Sequence, residues 1–108
     1  MVEQESRQFY RKSTFLEGMY KKLTPPITSG KILVTNVSAS GCRFDAPASH
    51  QLQPGDRIGI AFSLNDARGT MIRKEATVKV VDGRYVGCQF VMLPGTYDPD
   101  LGFYLKNL

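Results

Sequence analysis

One histidine, two cysteines and no tryptophan occur among the 108 residues of this chain, and each scarcity removes a class of chemistry. A lone histidine takes away the commonest general base. His50 stands beside Gln51 in a loop bounded by prolines, with no acid or nucleophile pattern around it. The sequence has no glycine-rich phosphate loop before a helix, no HExxH, no nucleophile elbow and no clustered carboxylate pair. The chain therefore reads as a binder rather than an enzyme, with no catalytic residue to nominate. Cys42 and Cys88 have no ligand-spaced cysteine or histidine beside them, so no metal site is expected. Both fall at inward positions of expected strands and read as buried free thiols. No apolar run approaches the roughly 18 residues that span a bilayer. The opening MVEQESRQ is too polar for a signal peptide, and a cytoplasmic protein is expected.

What is present is an ordinary globular composition, 42% hydrophobic, with a net charge of +4. The length suits one domain with a modest core. The basic balance favours anionic partners only mildly, leaving nucleic acid, nucleotide and acidic protein open. Residues 1–6 are polar and lack a core pattern, so residues 1–13 are expected to form a flexible N-terminal arm and residues 14–108 the folded domain.

Between Arg7 and Lys22 neither helical nor strand periodicity prevails, and a strand is expected over Thr14 to Lys21. Pro25-Pro26 blocks any helix and makes an exposed connection. Lys31 to Val37 reads as a strand in which Ile32 and Val34 share the face that Asn36 ends. Cys42 and Phe44 then point one way and Arg43 the other. Asp45 to Asp56, with Pro47 and Pro54-Gly55, is loop.

Ile58, Ile60, Phe62 and Leu64 alternate with Gly59, Ala61 and Ser63, the strongest strand signal in the chain. Met71 to Val81 follows a hairpin at residues 65–69 and is expected to bury Ala76, Val78 and Val80. Asp82-Gly83 marks a two-residue turn before a return strand carrying Val86, Cys88, Phe90 and Met92. Short turns between successive strands predict a meander closing into a barrel, which removes exposed edges. Asp98 can cap a helix starting at Pro99, with Leu101, Tyr104, Leu105 and Leu108 at helical spacing.

Two stretches carry the chemistry. Asn36 and Ser38 sit two apart at a strand's end, so their side chains leave one face. Gly41 then allows a positive φ or the close approach of a planar ligand. Upstream, Arg7 and Arg11 are four apart, and two guanidinium forks so placed can converge on one anionic, planar partner. Taken singly, the first stretch reads as a polar turn and the second as solvated cations beside Glu3 and Glu5.

Read together, RQFYR (7 to 11) and NVSASG (36 to 41) resemble the signature of the PilZ family of bacterial cyclic di-GMP receptors, Arg-x-x-x-Arg followed by Asp/Asn-x-Ser-x-x-Gly. The resemblance implies a mostly β fold, a six- or seven-stranded antiparallel barrel with a short C-terminal α-helix. It implies a cyclic di-GMP site at Arg7, Arg11, Asn36, Ser38 and Gly41, with no metal and no cofactor. It further implies that the arm closes on the ligand and alters the surface offered to an effector protein. Ser6 precedes Arg7 where many members carry another basic residue. Two alternatives stand beside this reading. One is a degenerate barrel that acts only as a protein-interaction module. The less favoured is a barrel for single-stranded nucleic acid, since outward positions such as Gly59, Ala61, Ser63, Thr77 and Lys79 make a poor stacking platform.

Overall fold

The computed structural model describes residues 11–91 and 99–106. Ile58, Ile60, Phe62 and Leu64 are buried while Gly59, Ala61 and Ser63 are half-buried, so the period-two pattern does what it predicts. Six strands result: β1 (Arg11–Lys22), β2 (Ser29–Ser38), β3 (Gly41–Asp45), β4 (Arg57–Ser63), β5 (Met71–Asp82) and β6 (Tyr85–Phe90). Among the described residues a helix follows, α1 (Pro99–Lys106). β1 contains the expected strand at 14–21 and begins three residues before it.

The strands close into an antiparallel barrel in the order β1-β2-β3-β6-β5-β4. This corrects the expected meander. β1-β2-β3 and β4-β5-β6 are hairpin-linked runs, but β3 is neighboured by β6, not β4. The physical reason is the connection at residues 46–56, which is too long for a hairpin turn and carries the chain across to the far edge.

The core is made from the inward faces of all six strands, with Phe44, Phe62, Ile58, Val34, Val37, Val78 and Val86 fully buried. Each such side chain contributes roughly 1.5–3 kcal/mol relative to exposure. Leu101, Tyr104 and Leu105 of α1 join this core, and the Tyr104 hydroxyl donates to Asn65 Oδ1 at 2.5 Å, docking the helix on the β4–β5 turn. Pro99 opens the helix and Asp100 places an acid in its first turn, both suited to an N-terminus. The expected contributions of Met92, Asp98 and Leu108 lie outside the described residues.

Three irregularities shape the outer surface. In β2, Val34 pairs with Phe44 and Asn36 with Arg43, so Thr35 is an extra residue on the β2 side. The bulge changes the phase of the strand. Val37 turns into the core and Asn36 turns out beside Arg43, correcting the expectation that Asn36 ends the face of Ile32 and Val34.

In β5, Val78 pairs with Cys88 and Val80 with Gly87, making Lys79 an extra residue there. Val80 is consequently 56% exposed, against the expectation that it is buried. A further register shift lies in β1 between Ser13 and Leu16. At the β5–β6 turn, Asp82 pairs with Tyr85 and the central residues are Gly83 and Arg84, one place beyond the expected pair. Gly83 has φ 61, the positive value that the first central position of a type II′ turn requires.

Candidate ligand site

Register brings the last residue of the first half-motif beside the second. β1 pairs with β2 so that Arg11 stands opposite Ser38 and Ser13 opposite Asn36. Directly opposed residues of an antiparallel pair have α-carbons about 4.5–5.5 Å apart. Arg11 is described through its backbone alone, and Arg7 lies outside the described residues. The pairings of β1 with β4 run only from Gly18 to Lys22, so Arg11 sits on the part of β1 that pairs with β2 beyond the closure of the barrel.

The turn between β2 and β3 is built by Ser38. Its Oγ accepts the Ser40 N–H, donates to the Gly41 carbonyl and contacts the Ser40 hydroxyl, all at 3.3 Å. These are long hydrogen bonds, weak individually. The Phe90 N–H donates to the Ser40 carbonyl at 2.8 Å and ties the turn to the end of β6.

Gly41 has a definite job that differs from the one expected for it. A β-carbon there would collide with the Cys88 carbonyl oxygen and come within 3.2 Å of the Gln89 α-carbon. The close approach is that of β6's backbone, and Gly41 is absent from the positive-φ glycines, Gly55, Gly69 and Gly83. Asn36 is half-buried and faces outward next to Arg43.

Outside this turn lies a depression of about 260 Å³ whose lining includes Asn36, Ser40, Gly41, Arg43, Lys79 and Gln89. Its floor is bare at Gly87, where an added β-carbon would meet only Val80 Cβ at 3.7 Å and Arg43 Cγ at 3.8 Å. Sequence reasoning did not single out Arg43, Lys79, Gly87 and Gln89, which line this depression. The available signal was Lys79-Val80-Val81, a break in alternation opposite a glycine, which together point to a bulge.

Larger hollows lie elsewhere. One of about 610 Å³ carries Glu17, Lys31, Asp45 and Arg84, with Arg84 paired to Asp45 at 3.1 Å, so charges of both signs leave little field for an anion. Another of about 620 Å³ lies over β4, with Arg73 and Glu75 on its rim, and adjoins neither half-motif.

On the core side of the same strands, Cys42 and Cys88 are buried free thiols with sulfurs 3.6 Å apart, as expected. The hydrogen bond to Cys88 and then burial push the Cys42 thiol up, keeping it protonated. His50 is buried and structural. Its Nδ1 accepts the Leu52 N–H at 2.8 Å, leaving Nε2 as the protonated nitrogen that donates to the Gly83 carbonyl at 2.7 Å. Among the described residues no group of three His, Cys, Asp or Glu side chains is placed to hold a metal ion.

The PilZ domain pattern matches residues 5–105. The fold is similar to that of the Bacillus subtilis inhibitor of motility, MotI (DgrA), with TM-score 0.74 and 18% identity over 94% of this chain and 48% of that one. This chain thus spans about half the length of MotI. It is also similar to the PilZ domain of YcgR from Escherichia coli, solved with c-di-GMP, with TM-score 0.64 and 18% identity over 94% of this chain and 92% of that one. No curated protein matches. With the family pattern covering nearly all of the sequence and the barrel matching the PilZ domain of YcgR in fold, the chain belongs to the PilZ domain family.

Proposed function

We propose that this chain is a cyclic di-GMP receptor in which Arg7, Arg11, Asn36, Ser38 and Gly41 form the binding site. The observation that supports the reading is the β1–β2 register, which sets Arg11 opposite Ser38. Guanine offers O6 and N7 to a bidentate arginine, and the cyclic diester offers two anionic phosphates. Arg7 and Arg11 supply both kinds of contact. Asn36 reads a guanine edge as donor and acceptor. Ser38 exchanges its long hydrogen bonds within the turn for a shorter one to the ligand, and Gly41 fixes the turn on which both side chains stand.

The arm ahead of β1 closes over the ligand, and the changed surface signals to an effector protein in the cytoplasm. Calorimetric titration with cyclic di-GMP tests this. At roughly 1–3 kcal/mol for a bidentate base contact, Arg7→Ala or Arg11→Ala weakens binding about fivefold to over a hundredfold.

A second reading, a barrel that acts only as a protein-interaction module, draws support from one observation. Ser38 and Gly41 already have structural partners, at the turn and at β6. Absence of heat at high micromolar nucleotide, together with partner capture insensitive to it, is the signature of that module.

A further inference from the structure

The depression beside the second half-motif is cationic in a way the motif does not require. Arg43 and Lys79 both line it, both are exposed, and neither has an ion-pair partner among the described residues. By contrast, Lys22, Arg57, Arg68 and Arg84 each stand within ion-pair distance of a carboxylate. Unpaired cations on a shared concave surface repel each other unless an anion lies between them.

The backbone has been shaped to make that surface. The bulge at Lys79 turns Lys79 and Val80 outward in succession. The bulge at Thr35 turns Asn36 out beside Arg43. Between them Gly87 leaves the floor bare, with Arg43 on one side and Val80 on the other. At about 260 Å³ the hollow is smaller than the roughly 300–1,000 Å³ that enclose a drug-sized ligand, so it suits one end of a dinucleotide.

We propose that Arg43 and Lys79 are ligand-binding residues that hold one phosphate of the cyclic dinucleotide over the bare floor at Gly87, outside the two half-motifs. This rests on the receptor reading above and assigns it a second anion contact. The guanine of a ribose esterified to that phosphate lies along the trough toward Asn36. Arginine supplies a planar fork and lysine a point charge, a pair that can grip two oxygens of one phosphodiester. Gly87 admits the sugar-phosphate ring to within van der Waals distance of β6, which any larger residue prevents.

The test is calorimetric titration of the full chain with cyclic di-GMP at two salt concentrations, using wild type, Arg43→Ala, Lys79→Ala, Gly87→Leu and the control Arg73→Ala. Arg73 is an exposed cation on β5 that lines a different hollow. Hydrogen bonds to a charged group, discounted for exposure, give an expected loss of roughly 5- to 30-fold for Arg43→Ala and Lys79→Ala. Their affinities also fall less steeply with salt, because one screened attraction is gone.

Gly87→Leu leaves the melting temperature within a few degrees, since its first added carbon meets open contacts, yet binds at least about tenfold more weakly by filling the trough. Arg73→Ala binds as wild type does. Wild-type binding with Arg43→Ala, Lys79→Ala and Gly87→Leu all unchanged overturns this proposal and leaves the receptor reading standing. No binding by wild type overturns the receptor reading, and this proposal with it. An equal loss in Arg73→Ala also overturns it, because the effect is then one of overall charge.

Discussion

Gly41 shows how the barrel's own packing can require a motif glycine. Its missing side chain lets the Cys88 carbonyl and the Gln89 α-carbon sit against the turn, so Gly41→Ala must push β3 away from β6. Overpacking of this kind costs roughly 1–3 kcal/mol, and urea denaturation without any ligand is expected to show that loss. Unchanged stability in that variant contradicts the assignment. The neighbouring thiols give a second expectation at this scale. Cys42 and Cys88 are 5% and 8% exposed, so a thiol-specific disulfide reagent should modify neither in the folded protein and both after unfolding. Rapid labelling of either one in native buffer counts against the buried pair. Their inward placement was legible in the sequence because both fall in phase with neighbouring apolar residues. The role of Gly41 was legible only as a need for a small residue, because the Cys88 carbonyl that crowds it lies in β6, far along the chain, and no local pattern announces it.

Two elements outside the site have their own chemistry. At the β1 end, Lys22 is buried, with Nζ 3.3 Å from both Asp56 Oδ2 and the Gln51 carbonyl, while Asp56 Oδ2 accepts the Gln53 N–H at 2.8 Å. Removing only the acid leaves a buried cation without its counter-charge, so Asp56→Ala is expected to lose about 3 kcal/mol, and Lys22→Met, which keeps the packing volume and removes the cation, less than that. Denaturation midpoints of the two variants decide the order.

At the β4–β5 turn, Asp66 accepts from the Thr70 N–H at 3.0 Å and the Thr70 hydroxyl at 2.8 Å. These bonds, the backbone one first, hold its carboxyl below the usual aspartate range. A lowered folded-state value means that the turn's contribution is complete above the ordinary aspartate range and is lost as pH falls through the lowered one. The Thr70 amide shift should follow that titration, with a midpoint below the ordinary value. A midpoint at the ordinary value removes the claim. The strands themselves were legible because β4, β6 and much of β5 keep a period of two. The bulges at Thr35 and Lys79 were not, since one additional residue leaves composition and local propensity untouched while reversing the faces of Asn36 and Val80. The neighbour of β3 was illegible for a related reason, because pairing across a long loop is decided by the closed barrel and not by any turn.

The whole molecule is a barrel whose closure stops short at one corner, where β1 runs on past β4 beside the end of β2. Arg11 and Ser38 stand opposite each other at that corner, and the trough containing Arg43, Gly87 and Lys79 opens beside the β2–β3 turn. The signature was readable as two separated stretches, and the fold class with it. The trough was not, because its residues come from four strands, two of them far along the chain from the others. A titration of ¹⁵N-labelled full chain with cyclic di-GMP, followed by amide chemical shifts, tests the convergence of these parts on one site most directly. Shifts concentrated at residues 7–13, 36–43, 79–80 and 87–89 are the predicted result. Shifts confined to the hollow over β4, around Gly59, Ala61 and Arg73, or no shifts at saturating nucleotide, contradict it.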